Sequence, residues 1–299
     1  MKEQLLVLVS IPLYVILIGG EVGLTHWKKK HNAYTVKDTI TNVYLMLLNM
    51  GLDMLLRGLV LWILIYFHDI STTWHVFSNE GAWEILLTYW LGLFIAEDFA
   101  FYWLHRIDHS CRVFWAVHVT HHSSEHFNLT TGFRSSVFQP VYRVIYFIPI
   151  ALMGFAPLDI FLMYSATQIY GIIIHTGEVG KLKFLEHILV TPSHHRVHHA
   201  CNVQYLDKNL GMVLIIWDKL FGTFEEEIEP VRYGLRKNLE KKDPLNVVFH
   251  EWVSLWKIIR RPIGWKNRIL YLFSPPGWSH DDSTKTAKKL REELTRKKD

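Results

Sequence analysis

The sequence predicts an all-α fold: an integral membrane helical bundle whose helices lead into a cytosolic helical cap. Three observations predict it. Half of the 299 residues are hydrophobic and gather in long runs, with 12 Trp, 13 Tyr and 17 Phe available as interface anchors. Basic residues stand beside those runs, at Lys28-Lys29-Lys30 and in the region after Arg232. Histidine, at 18 copies, is concentrated where runs end and not at their centres. The net charge of +4, placed this way, points to anionic lipid headgroups and to no nucleic acid partner. Two cysteines, Cys111 and Cys201, are too few for a disulfide framework; both are read as free thiols in a reducing compartment.

Each element follows in order. Residues 5–24 are nearly continuous apolar sequence with their positive charges behind them. A signal peptide carries those charges in front, so this is a retained first membrane helix, and its basic flank stays in the cytoplasm. Residues 39–67 form a second run, interrupted by Asp53 and Arg57, which share a helix face and are expected to pair. The loop at 68–81 lacks Lys and Arg and suits the outer face. Residues 83–104 return across the membrane, and the runs 137–155 and 158–174, joined through Gly154 and Pro157, form a transmembrane hairpin with both ends on one side. The chain thus divides into membrane helices at 1–104, a core at 105–224 that includes the hairpin at about 137–174, and a basic cytosolic tail at 225–299. Within the tail, residues 250–261 form an amphipathic helix, and 291–299 are a frayed charged end.

Counting crossings from Lys28 puts three histidine-dense runs on the cytoplasmic side. They are His105 with His109; His118 with His121 and His122; and His194, His195, His198 and His199. His175, at the exit of the hairpin, joins them. Imidazoles three or four apart share one face of a helix, so His105 and His109 converge, as do His195 with His199 and His194 with His198. Thr191-Pro192 starts the helix that carries the last run. Packing so many titratable rings together without a cation costs desolvation and, once they are charged, repulsion. Helical pieces with inward imidazoles enclose two metal ions instead, which makes this a histidine-rich di-metal site at a membrane surface.

His105-x-x-x-His109, His118-x-x-His121-His122 and His195-x-x-His198-His199 resemble the eight-histidine signature of the fatty acid hydroxylase and sterol desaturase superfamily of membrane non-haem di-iron enzymes. Further phrases, such as Tyr102-Trp103-Leu104-His105-Arg106, Asn128-Leu129-Thr130 and the run from Ile215 to Phe224, look most like its ether-lipid-cleaving, tetrahydrobiopterin-using branch. The resemblance implies an O₂-dependent monooxygenase that hydroxylates a C–H bond of an ether lipid, a fatty acyl chain or a sterol-type substrate. It implies two iron ions and a separate reductant, tetrahydrobiopterin or a redox partner. It names His105, His109, His118, His121, His122, His195, His198 and His199 as catalytic. One ion would take His109, His118 and His121 with His175 and His194, and the other His105, His122, His195, His198 and His199.

Asp98, Asp108, Glu125 and Glu178 lie near these motifs in sequence and are expected to orient the rings. Zinc binds such a nitrogen-rich set more tightly than ferrous iron and is expected in purified protein. The rival reading is a zinc-dependent membrane lipid hydrolase, because zinc with an open position activates water. The membrane is a bacterial inner membrane or the endoplasmic reticulum.

Overall fold

A computed structural model of the chain describes residues 2–30, 32–71 and 83–297. Most of the loop expected at 68–81 lies outside them. The regular elements of the described residues are all helices joined by loops, with no strand and only two isolated bridges, Leu189 to Leu214 and Ala200 to Tyr233. The all-α expectation is met.

Among the described residues, two helices are long and apolar enough to cross a bilayer: α1 at Lys2–Trp27 and α2 at Val36–Ile70. Thr35 caps α2, its hydroxyl accepting from Asp38 N. Many of their apolar side chains face outward. Val15, Ile16, Met54 and Leu55 are 67, 70, 79 and 82 % exposed, an arrangement that hydrocarbon solvates and water does not. The expected pair forms as part of a network: Arg57 lies 3.6 Å from Asp53 and also meets Glu3, while Asp53 meets Arg143. These charges tie α1 and α2 to the following hairpin, a structural role.

The third helix, α3 at Trp83–Ser110, runs straight from the bundle into the first histidine motif. After one residue, Cys111, the chain turns into α4 at Arg112–His122. The hairpin consists of α5 at Pro140–Leu152 and α6 at Pro157–Ile173, with Gly154 taking the positive φ (95°) that the turn needs. Its helices have 13 and 17 residues, about 20 and 26 Å at 1.5 Å per residue, shorter than a roughly 30 Å hydrocarbon core. The expected helix start at 137 moves to Pro140 because the preceding residues turn, Gln139 N donating to Ser136 O. Leu64, Tyr89, Leu93, Phe147, Ile150, Phe155 and Ile160 fill the core between α2, α3, α5 and α6. Within it the Tyr89 hydroxyl donates to Asp159 and accepts from Ala156 N, fixing the turn.

The cap contains α7 at Pro192–His198, α8 at Ile216–Phe221, α9 at Pro244–Ile259, α10 at Trp265–Phe273 and α11 at Ala287–Arg296. The amphipathic helix expected at 250–261 is α9, which buries Val247, Val248 and Leu255 and leaves Phe249, Val253 and Trp256 exposed. The expected frayed end is corrected: Thr286 caps α11, and Arg291 donates to Leu206 O, so 287–296 are docked helix.

Candidate metal centre

Each histidine reaches the centre for a local reason. His105 and His109 lie on the last turns of α3, and His118, His121 and His122 on one side of α4. His175 follows the end of α6. His195 and His198 lie on α7, with His199 as its C-cap. Thr191 and Pro192 start α7 as expected, the side chain of Thr191 accepting from the His194 backbone.

Nine imidazoles fall into two adjoining groups, one of His105, His109, His118, His122 and His198, the other of His121, His175, His195 and His199. Within each, the candidate ligand atoms lie within 4.8 Å of one another. The expected partition is therefore corrected. Consecutive residues of a helix point about 100° apart, so His121 and His122 serve different groups, as do His198 and His199. The groups share a border, with the His122 and His199 rings 4.6 Å apart.

His194 stands outside both groups. Its Nδ1 lies 3.3 Å from Thr191 N and 3.2 Å from Leu189 O, and its ring packs on Phe224. It caps the helix and does not meet His198 as the spacing predicts, since its side chain turns back to accept from Thr191 N.

The tautomers follow from the outer partners. Nδ1 of His105 donates to Leu210 O (2.7 Å), of His121 to Arg134 O (2.9 Å), of His175 to Gly171 O (2.6 Å) and of His198 to Lys208 O (3.1 Å). A carbonyl oxygen only accepts, so each Nδ1 carries the proton and each Nε2 turns a lone pair inward. Where they meet a polar atom, it is another imidazole nitrogen. His121 and His175 Nε2 are 3.4 Å apart, and His105 and His118 Nε2 are 3.0 Å apart. His109 Nε2 and His198 Nε2 are buried with no partner at all. Two nitrogens each about 2.1 Å from one ion at right or tetrahedral angles stand about 3.0 to 3.4 Å apart, the spacing seen here. The residues fit a pair of metal ions. Burial, followed by neighbouring imidazoles, holds His118, His122, His195, His198 and His199 well below the usual histidine range. Burial likewise lowers His121 to about 4. Neutral rings are the form that binds a cation.

Of the four carboxylates nominated from sequence, only Asp108 turns to the site, 3.7 Å from His118 Nδ1 and held by Tyr142 and Gln139. Asp98 instead accepts from Val213 N, Leu214 N and Trp217; Glu125 pairs with Lys242, and Glu178 with Lys28 and Lys30. The sequence reading missed Asp207, whose carboxylate accepts from His109 Nδ1 at 3.2 Å. It also missed the whole loop from Asp207 to Gly211. Asp207 and Asn209 take positive φ (53°), as short polar side chains tolerate, and this turns the carbonyls of Lys208 and Leu210 onto two imidazoles. Asp218 holds the loop, accepting from Leu210 N, Gly211 N and Thr223 Oγ1. Cys111 and Cys201 are free thiols and belong to neither group.

Trp115 packs 5.2 Å from His109, and Phe127, stacked on Tyr233, lies 5.3 Å from His199; these rings screen the groups from the cap side. Toward the bundle, a narrow cavity of about 90 Å³ opens over both groups, with Phe101, Ile172 and Met212 among its walls. An apolar chain entering between α2, α3 and α6 would meet the imidazoles there.

The family model for fatty acid hydroxylase matches residues 90–223. Alkylglycerol monooxygenase of Homo sapiens is 40% identical over 221 residues, which are 72% of this chain and 49% of that protein. Alkylglycerol monooxygenase of Danio rerio is 35% identical over 275 residues, 90% of this chain and 59% of that protein. Ornithine lipid hydroxylase of Rhizobium tropici is 33% identical over 162 residues, 54% of this chain and 48% of that protein. The chain spans about half the length of the curated relatives it matches. No solved structure matches it.

Proposed function

From a chain that belongs to the fatty acid hydroxylase family, we propose a membrane-bound non-haem di-iron oxygenase that hydroxylates a C–H bond of a lipid. The observation that carries the reading is the pair of adjoining imidazole groups whose lone pairs face each other at ligand spacing beside a cavity with Phe101, Ile172 and Met212 among its walls. His105, His109, His118, His122 and His198 would hold one iron, and His121, His175, His195 and His199 the other. Bound iron supplies the activation of O₂ and the removal of hydrogen from an unactivated carbon.

The chain's own residues do the rest. Leu210, Lys208, Arg134 and Gly171 fix the rings through their carbonyls, and Asp108 and Asp207 offset part of the charge that neutral ligands leave. Phe101, Ile172 and Met212 exclude water and hold the lipid chain near the imidazoles. The preferred substrate is an ether lipid, in keeping with the alkylglycerol monooxygenases among the relatives. Hydroxylation beside the ether oxygen consumes O₂, two electrons and two protons, releases water, and leaves an adduct that collapses to an aldehyde and an alcohol. The electrons come from a separate reductant, with tetrahydrobiopterin the first to try. Zinc competes for the same nitrogens by the usual affinity order.

We place the centre on the cytoplasmic side of a multi-pass protein. Lys28 and Lys30, in the basic connection after α1, pair with Glu178, three residues beyond His175, which brings the positive-inside signal to the site. The relatives reported above are a monooxygenase and a hydroxylase by name, so nothing favours the hydrolase alternative. Oxygen uptake by the iron-reconstituted chain with 1-O-hexadecylglycerol and tetrahydrobiopterin, with release of hexadecanal, is the expected result. Lipid cleavage that proceeds equally without oxygen would overturn it.

A further inference from the structure

Over the imidazoles, the cavity lining contains more polar side chains than a hydrocarbon tail needs. Most are engaged: Asn49 donates to Ser136 O (2.8 Å), Gln139 to Asp108 (3.1 Å) and Ser135 to Phe133 O (3.3 Å). Gln168 is the exception. Its Nε2 is buried with no partner, although the residue lines the cavity. One turn earlier on α6, the Tyr164 hydroxyl accepts from Arg143 (2.7 Å), which leaves its own proton to donate. Tyr164, Gln168, Ile172 and His175 follow one another at helical spacing down the cavity wall, so these donors share a face with a candidate metal ligand. A buried N–H with no acceptor destabilises the protein that carries it, so such a group in a native fold calls for an explanation, and on a cavity wall a bound acceptor supplies one.

We propose that Gln168, with Tyr164 beside it, recognises an acceptor oxygen of the lipid, selecting an oxygen-bearing glycerolipid over a plain hydrocarbon chain. The proposal rests on the oxygenase reading for the identity of the cavity as a substrate site. A site that has oriented a donor toward its substrate rejects the analogue lacking the acceptor, because the donor is then left buried and unpaired.

The test uses the full detergent-solubilised chain loaded with zinc, which binds the imidazoles without turnover. Equilibrium binding is measured for 1-O-hexadecylglycerol, 1-palmitoylglycerol and hexadecane. Gln168→Leu keeps the side-chain volume and removes the amide. It is expected to weaken both glycerolipids by about 5- to 10-fold, the worth of one buried hydrogen bond, and to leave hexadecane unchanged. Tyr164→Phe is expected to act in the same sense and less strongly. Zinc content should match the unsubstituted chain in both variants. Equal weakening of hexadecane would mean a damaged cavity, and unchanged glycerolipid binding would mean that Gln168 is satisfied by water; either overturns the proposal. Oxygen uptake by the iron-loaded chain is read in parallel. If no lipid supports uptake, the oxygenase reading fails, while the binding ratios still decide the role of Gln168.

Discussion

Asp218→Asn is the substitution that most directly tests how the loop from Asp207 to Gly211 supports the centre. The Asp218 carboxylate is fully buried and accepts from Leu210 N (2.7 Å), Gly211 N (2.8 Å) and Thr223 Oγ1 (2.6 Å). Asparagine has almost the same shape and keeps one acceptor oxygen, but it turns an amide N–H toward one of the two backbone donors. Losing a charge-assisted bond and stranding one buried N–H costs about 2–3 kcal/mol. A Cβ on Gly211 would already sit 2.9 Å from Oδ2 and 2.7 Å from Leu214 O, so the loop has no room to tilt and recover the bond. The consequence passes to Leu210 O, which orients His105, one of five imidazoles in the first group. Loss of an outer partner of this kind typically lowers metal affinity 10- to 100-fold. Competition of the purified variant against a chelator of known affinity, resolved into two binding steps, should show one step weakened by about tenfold. The step assigned to His121, His175, His195 and His199 should hold, since none of their outer partners belongs to that loop. Equal weakening of both steps, or of neither, would refute the argument that the loop positions a single centre.

Two further outcomes follow from the same geometry. His195→Ala removes a ligand from the second group, so bound metal should fall from two ions toward one and activity should be lost while the protein still inserts into membranes; full metal content would defeat the assignment. Although burial acts to raise it, hydrogen bonds from Lys28 and Lys30 hold Glu178 below the ordinary carboxylate value of 4.5. A depressed folded-state value means stability that is present above about 4.5 and lost as pH falls through the lowered value. Unfolding followed from pH 6 downward should therefore lose an acid-dependent component in Glu178→Gln, and an unchanged pH profile would show that the link to Lys28 and Lys30 adds nothing.

The charge network around Asp53 shows how far local reasoning reaches. Its pairing with Arg57 was legible because four residues on a helix bring two side chains to one face, whatever surrounds them. That Glu3 and Arg143 complete the network was not, since both arrive from other helices. The carboxylates around the centre repeat the lesson. Asp98, Glu125 and Glu178 lie near the motifs in sequence yet turn to other partners, while Asp207, 98 positions from His109, comes to its ring. Gln168 gave no signal at all, because an unpaired amide is defined by what is missing around it.

What the sequence alone determined about this protein is whatever depends on helical period and composition: the all-α class, the apolar helices, the Thr191-Pro192 start of α7, and the gathering of the histidine motifs at helix ends. The division of nine rings into groups of five and four waited on the tertiary structure, as did the dismissal of His194 and the carbonyls of Arg134, Gly171, Lys208 and Leu210 that set the tautomers. The physical reason is that a ligand set is a property of where lone pairs point in space. The rotation of each helix about its own axis, decided by packing against its neighbours, sets those directions, and every residue has a carbonyl, so no letter of the sequence marks the few that are used.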